Sequence, residues 1–313
     1  MSETTGLTVA IFGVGAMGTL FGSKLSPLAK VTLFGNWPEQ IETLRRDGLT
    51  VTHPDGCQSH HPVAVTNNLN EMPAADVALI LVKSHQTARA ARQAANILRP
   101  DGLAITLQNG LGNQAKLAEA VGPERAALGI TAQGATVVGP GHVRHAGNGP
   151  TYLARLSGRE QQLTQVAELF NRAGLETSLV DNADSLVWGK LAVNAGINPL
   201  TALFELPNGR LNDNETLRKL MTAAAQETAA VAAAQGIQLP YLDVARQTME
   251  VARATASNRS SMWQDISRAA PTEIDVISGA VVSYGRRLGV PTPVNEFLLR
   301  QIKRKEQGLL VRY

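Results

Sequence analysis

Residues 7–34 read LTVAIFGVGAMGTLFGSKLSPLAKVTLF, and the fold follows from this stretch. LTVAIF is an apolar run of buried-strand length. Gly13-Val14-Gly15-Ala16-Met17-Gly18 comes directly after it, then TLFGSKLSPLA with helical character and KVTLF as a second strand. In a strand-glycine-loop-helix unit the first glycine permits the tight turn, the second lets backbone approach a pyrophosphate, and the third seats the helix close to its strand. Free N–H groups at the helix N-terminus then receive the phosphates. A bare Gly-x-Gly-x-x-Gly says little, because glycines are common in turns. Here its place between strand and helix predicts a dinucleotide site over Gly13, Val14, Gly15, Ala16, Met17 and Gly18.

The chain has 313 residues, enough for two domains with separate cores. Hydrophobic residues make up 44% and charged residues 18%, a soluble and globular balance, and the 4% of aromatics points to aliphatic, helix-rich cores. The formal charge of +3 suits an anionic small molecule. No dense Lys/Arg run marks a nucleic-acid surface, and IKRKEQ at 302–307 reads as a solvated helix face. Cys57 is the sole cysteine, so no internal disulfide and no thiol zinc site is expected. With no secretory leader pattern and no apolar stretch of membrane-spanning length, a cytoplasmic protein without membrane partners is expected.

Along the chain, residues 39–48 suit a helix ending at Gly48, and LTVTHPDGCQSHHPVAV suggests a hairpin turning at Pro54-Asp55-Gly56. His53, His60 and His61 sit in this polar segment without a carboxylate or thiol at ligand spacing, so no metal site is expected. ADVALILVKS at 75–84 has the continuous apolar character of a strand buried on both faces. Lys83 lies just past its carboxyl end, where ligands bind in doubly wound sheets; a lysine capping the next helix is the alternative. HQTARAARQAANILRP predicts a helix stopped by Pro100, and GLAITLQNGLGN a strand running into Gln108-Asn109-Gly110. Asn109 could turn the chain in a left-handed conformation or present its amide to a ligand. A helix at 113–121, a strand around ALGITAQGATVV, a turn at Gly139-Pro140-Gly141, a strand near HVRHAG, YLARL, the helix REQQLTQVAELFNRAG and LETSLV follow. This alternation predicts a mostly parallel, doubly wound Rossmann domain over residues 1–181.

Strand signals largely vanish beyond Asp181. Residues 182–313 are dominated by Ala-rich segments of helical period, such as LRKLMTAAAQETAAVAAAQG, so the second domain is expected to be all helical. Within it, SLVWGKLAVNAGINPLTAL at 185–203 places Lys190, Asn194 and Asn198 four residues apart, on one helical face. Two short amides beside a lysine could bind a small polar anion, although amphipathic helices also produce such stripes. NRSSMWQD at 258–265 and PTEIDVISG at 271–279 form a second polar cluster. Glu273 there could serve only as an early acid favouring a helix dipole.

The glycine motif, Lys83, QNGLGN, WGKLAVNAGINPLTAL, NRSSMWQD and PTEIDVISG occur in an order that resembles the ketopantoate reductases, the 2-dehydropantoate 2-reductases of pantothenate biosynthesis. The likeness runs through nearly the whole chain to KRKE at 303–306. It implies a Rossmann domain and a helical substrate domain flanking the active site, and NADPH-dependent reduction of ketopantoate to pantoate. Lys190 then matches the catalytic lysine that gives a proton to the ketone oxygen, and Glu273 a glutamate that contacts the cofactor and orders the site. Asn194, Asn198, Asn208 and Ser261 match substrate contacts, Asn109 a residue reaching cofactor and substrate, and Lys83 and Ala135 cofactor contacts.

One departure concerns the end of KVTLF, where members that prefer NADPH carry a basic residue and this chain has Asn36 after Gly35. The expected cofactor is therefore NADP(H), with NAD(H) also accommodated. The competing readings are a reductase of another 2-oxo acid on the same scaffold and a dinucleotide sensor without catalysis. Retention of Lys190, Asn194, Ser261 and Glu273 together speaks against the sensor, which needs only the glycine loop. A homodimer through the Ala-rich domain is compatible with the sequence, without a heptad seam to support a coiled coil.

Overall fold

The computed structural model describes residues 6–309. Two compact units are present, one of Met1–Gln108 with Gly112–Ala183 and the other of Asn109–Leu111 with Asp184–Tyr313. The strands of the first are β1 (Thr8–Phe12), β2 (Lys30–Phe34), β3 (Leu49–Thr52), β4 (Gln58–His61), β5 (Ala64–Thr66), β6 (Ala75–Ile80), β7 (Leu98–Thr106), β8 (Ala126–Thr131), β9 (Gly134–Gly139), β10 (His142–Gly147), β11 (Thr151–Ala154) and β12 (Thr177–Val180). Its helices are α1 (Ala16–Leu25), α2 (Pro38–Asp47), α3 (Thr87–Ala95), α4 (Asn113–Val121) and α5 (Glu160–Arg172).

An eight-stranded sheet has the order β12-β11-β8-β7-β6-β1-β2-β5. The strands from β5 across to β8 are parallel, β11 joins β8 antiparallel, and β12 adds a parallel edge to β11. β1 thus sits where the winding reverses, between β2 and β6, which is the binding position of doubly wound sheets. Every β1 residue is buried because both of its faces are covered. Val9 and Ile11 enter the core shared with Leu20, Phe21 and Phe170, while Ala10 and Phe12 enter the opposite one with Ala91 and Ala94.

Three details differ from the sequence expectation. The alternation suggests one sheet, whereas β4-β3-β10-β9 form a separate four-stranded sheet. β3–β4 and β9–β10 are antiparallel hairpins with connections too short for the crossovers a parallel sheet needs, so they pair with each other through β3 and β10. The stretch ALGITAQGATVV accordingly breaks between β8 and β9. Buried Gln133 braces the break, donating to Asn148 Oδ1 at 3.1 Å and Gly149 O at 2.7 Å and meeting His145 Nε2 at 2.7 Å. Finally, α3 ends at Ala95 without help from Pro100, which lies in the exposed first half of β7. The β6–β7 register shifts there, so the missing proline N–H interrupts no regular ladder.

The second unit contains α6 (Asp184–Phe204), α7 (Arg210–Asp213), α8 (Glu215–Ala233), α9 (Val244–Ala254), α10 (Ser261–Ser267), α11 (Ser278–Leu288) and α12 (Pro293–Glu306). Its described residues contain no strand. α6 is the hub, packed by α8, α9, α10 and α12 and buried along most of Trp188–Ala202. Helix ends are tied by side chains from neighbours. Glu227 of α8 accepts from the Val294 and Asn295 N–H groups at the start of α12, and Lys305 Nζ donates to Leu203 O at 2.8 Å near the end of α6.

Candidate active site

The glycine loop has the geometry its sequence requires. Gly13 adopts φ +126°, and a Cβ built on Gly18 would fall 1.8 Å from the Gly13 carbonyl oxygen, so helix and strand approach as closely as backbone allows. Gly15 N-caps α1 without a side-chain hydrogen bond, and the first turn carries no acid. Its Cβ would meet nothing within 4 Å. The α1 N–H groups therefore open toward a space suited to an anion. These features fit a dinucleotide pyrophosphate.

Around this loop, Lys83 stands three residues past the end of β6, and its carbonyl accepts from Gln86 N at 2.8 Å in the following turn. Gln108, at the end of β7, holds the neighbouring backbone by donating to Val82 O at 2.6 Å and Thr87 Oγ1 at 2.9 Å. Ala135 is half-buried in β9 and packs on the large core. After β2, Asn36 is exposed. The next arginines along the chain bond elsewhere, Arg45 Nε to Val65 O at 3.2 Å and Arg46 to the Asp47 carboxylate at 2.7 Å.

In the second unit Lys190, Asn194 and Asn198 do share one face of α6. Asn198 is buried, and Lys190 and Asn194 are half-buried. Burial lowers the Lys190 ammonium to a pKa of about 8, while the Glu273 carboxylate pulls it upward. Pro240 and Tyr241 cover the adjoining Gly189, where a Cβ would fall 2.6 Å from the Tyr241 hydroxyl. Burial pushes the Tyr241 phenol up to about 12.

Glu273 is buried in a turn, not at a helix start, since α11 begins only at Ser278. Its backbone carbonyl accepts from Val276 N and Ile277 N, which closes the turn. Asn109, which packs with the second unit, donates from Nδ2 to Glu273 Oε2 at 3.4 Å. The left-handed positions of the QNGLGN loop are Gly110 (φ +81°) and Gly112 (φ +86°), leaving the Asn109 side chain to bind Glu273. Lys190, Glu273 and Asn109 are thus brought together.

Ser261 opens α10, and its neighbour Ser260 bolts that helix to α6. Ser260 Oγ accepts from Thr201 Oγ1 at 2.7 Å and from Trp263 N at 3.1 Å. Thr201 lies three residues beyond Asn198, so the bolt sets the distance between two candidate substrate contacts. Asn208 donates to Thr255 Oγ1 at 2.9 Å, while its Oδ1 is buried without a protein partner. Lys83, Ala135 and the glycine loop belong to the first unit. Tyr241 and the Thr201–Ser260 pair were not visible as site elements in the sequence, because the segments that meet there are far apart in the chain.

The three histidines of the polar hairpin are occupied with hydroxyls: Ser59 Oγ lies 2.8 Å from both His53 Nε2 and His61 Nε2, and Thr50 Oγ1 lies 3.0 Å from His60 Nδ1. Among the described residues no group of three His, Cys, Asp or Glu side chains is arranged to hold a metal.

The family model for ketopantoate reductase PanE/ApbA matches residues 9–158, and that for the ketopantoate reductase C-terminal region matches residues 182–306. A 2-dehydropantoate 2-reductase of Halobacterium salinarum is 38% identical over 92% of this chain and 95% of its own length. The corresponding protein of Vibrio cholerae is 31% identical over 96% and 99%. Among solved structures, a PanE/ApbA family ketopantoate reductase from Ralstonia eutropha superimposes with a TM-score of 0.88 at 31% identity, covering 97% of this chain and 99% of that one. D-mandelate dehydrogenase, in a ternary structure with NADH and anilino(oxo)acetate, gives a TM-score of 0.90 at 27% identity over 98% and 100%. With both units matched in order, and with the lysine-asparagine helix and the buried glutamate where the signatures lie, the chain belongs to the ketopantoate reductase family.

Proposed function

We propose that this protein is a 2-dehydropantoate 2-reductase, reducing ketopantoate to pantoate for pantothenate biosynthesis, with residues 1–181 serving dinucleotide binding and residues 182–313 serving substrate and catalysis. The observation that carries the reading is the desolvated Lys190 ammonium, at about 8, beside buried Glu273 on the helix that also bears Asn194 and Asn198.

The loop Gly13–Gly18 and the α1 N-terminus bind the pyrophosphate, with Lys83, Asn109, Ala135 and Glu273 contacting the rest of the dinucleotide. When bound, the dihydronicotinamide supplies the hydride that reaches the ketone carbon. Lys190 holds the proton that the ketone oxygen takes up, and its positive charge stabilises the developing alkoxide. A lysine of unshifted pKa would be a weaker acid, so burial improves proton donation near neutral pH. Glu273 keeps enough negative potential at the site to retain the proton until it is needed. Asn194, Asn198, Asn208 and Ser261 orient the carboxylate and hydroxyl of the substrate, and the unmet acceptor at Asn208 Oδ1 suits a hydroxyl donor.

For the cofactor we propose NADPH, with NADH also accepted. Asn36 lacks the bidentate charge that would reward a 2′-phosphate, and the next arginines along the chain bond Val65 O and the Asp47 carboxylate. The NADH seen with D-mandelate dehydrogenase on the same fold supports acceptance of both. That likeness also favours a second reading, reduction of a bulkier 2-oxo acid. Among the described residues no helix is long and apolar enough to cross a membrane. The single exposed Cys57 suits a reducing compartment, so we place the activity in the cytoplasm, and a homodimer through the Ala-rich helical domain is compatible with this reading.

The test is oxidation of NADPH and of NADH with ketopantoate, Lys190→Ala serving as the blank. Turnover falling about 10²–10⁴-fold in the variant is expected. Specificity constants favouring a larger 2-oxo acid over ketopantoate would move the assignment to the second reading.

A further inference from the structure

Gln40 is fully buried in α2 and uses both ends of its amide. Nε2 donates to Val14 O at 3.0 Å and to Thr19 Oγ1 at 3.1 Å, while Oε1 accepts from Gly141 N at 2.7 Å. Thr19 Oγ1 also donates to Val14 O, at 3.2 Å. The Val14 carbonyl is thus held from behind, inside the Gly13–Gly18 loop. Gly141 in turn accepts from Thr50 N at 2.8 Å, which ties the turn between β9 and β10 to β3. β9 carries Ala135, a second proposed dinucleotide contact.

We propose that Gln40 is a positioning residue for the dinucleotide: one amide fixes the glycine loop against the β9–β10 hairpin, so that the two cofactor-contacting segments keep a set separation. The proposal rests on the dinucleotide reading above. A Val14 carbonyl locked toward Gln40 and Thr19 fixes the plane of the Val14–Gly15 peptide to which it belongs, and so the direction in which the Gly15 N–H of that same peptide points. Only an uncharged amide serves all the partners, since a carboxylate cannot donate to Val14 and an aliphatic chain can serve neither end. A buried glutamine with a merely structural role would stabilise the fold equally for every ligand. A positioning residue acts selectively on the dinucleotide.

The experiment is fluorescence titration of NADPH and NADH against wild type, Gln40→Met and Asn171→Ala, with steady-state constants for ketopantoate. Asn171→Ala is the control for losing a side-chain amide that hydrogen-bonds backbone at both of its ends, at an exposed position. Its side chain bridges Thr177 N and Thr177 O at 2.8 Å each, away from the glycine loop. Gln40→Met is expected to raise the dinucleotide Kd by about tenfold or more, with kcat at saturation and the ketopantoate KM within about twofold, and Asn171→Ala to leave the dinucleotide Kd unchanged. A folded Gln40→Met that binds both dinucleotides as wild type does overturns the proposal, as does an equal loss in Asn171→Ala. Should Gln40→Met not fold, Thr19→Val decides: a rise of about threefold or more is expected from losing the shared hydroxyl, and none overturns the proposal. Wild type binding neither dinucleotide would instead overturn the functional reading on which the proposal stands.

Discussion

The Glu273 carboxylate opposes the effect of burial on the proton of Lys190. Burial drives the lysine down to about 8, and the carboxylate limits the fall. A proton donor must be charged before it can donate, so turnover in the reducing direction should decline as pH rises through about 8. Glu273→Gln removes the upward pull, and the declining limb should move to lower pH in kcat/KM profiles. An unmoved limb would separate Glu273 from the ionisation of Lys190. Stability has a matching sign: the folded value lies below the unfolded 10.5, so the unfolded chain binds more protons between the two. The stability of wild type relative to Lys190→Met should rise across that window in denaturant titrations.

Gly15 and Gly18 separate ligand binding from folding. At Gly18 an added methyl would meet the Gly13 carbonyl oxygen at 1.8 Å, backbone against backbone. Gly18→Ala should cost about 1–3 kcal/mol or more, measured by thermal or denaturant unfolding. Gly15 has φ −80° and open space at its Cβ position. Gly15→Ala should fold within about 1 kcal/mol of wild type yet bind NADPH and NADH at least about tenfold more weakly. Unchanged affinity in Gly15→Ala would place the pyrophosphate elsewhere.

Asn194→Ala and Asn198→Ala each remove an amide from the face shared with Lys190. Each should raise the ketopantoate KM about 10- to 100-fold, the loss of a hydrogen bond to a charged group, without moving the NADPH Kd. A fall in NADPH affinity of the same size would reassign these amides to the cofactor.

Thr201→Val breaks the link from α6 to Ser260 while preserving volume, and should raise the ketopantoate KM about fivefold. Ser260→Ala loses the α10 cap as well, so its unfolding midpoint should drop further than that of Thr201→Val. Equal ketopantoate KM values in wild type and Thr201→Val would show that Ser261 needs no such support.

Asn36→Arg should tighten NADPH by about tenfold or more and leave NADH nearly as before, read from paired Kd values. No gain for NADPH would mean that the 2′-phosphate lies away from the end of β2.

Local signals along the chain specify the β1-loop-α1 unit, the buried β6, the lysine-asparagine stripe on α6, and the change from alternating strands to helices near residue 181. Each follows from side-chain period and glycine placement within a short window. Tertiary structure decided what depends on segments distant in the chain. Nothing near the polar hairpin says that it leaves the main sheet and pairs with β10 through β3, because hydrogen bonding between remote strands leaves no local period. Asn109 and Glu273 each allowed two readings in isolation. Gly110 and Gly112 take the left-handed turns, α11 starts only after Glu273, and the two side chains meet across 164 residues. Gln40 falls within the helix expected over residues 39–48, and nothing in that expectation singles it out. Only folding shows that it reaches the carbonyl of Val14 and the amide of Gly141, because a buried amide is defined by the backbone groups around it and not by its own position in the chain.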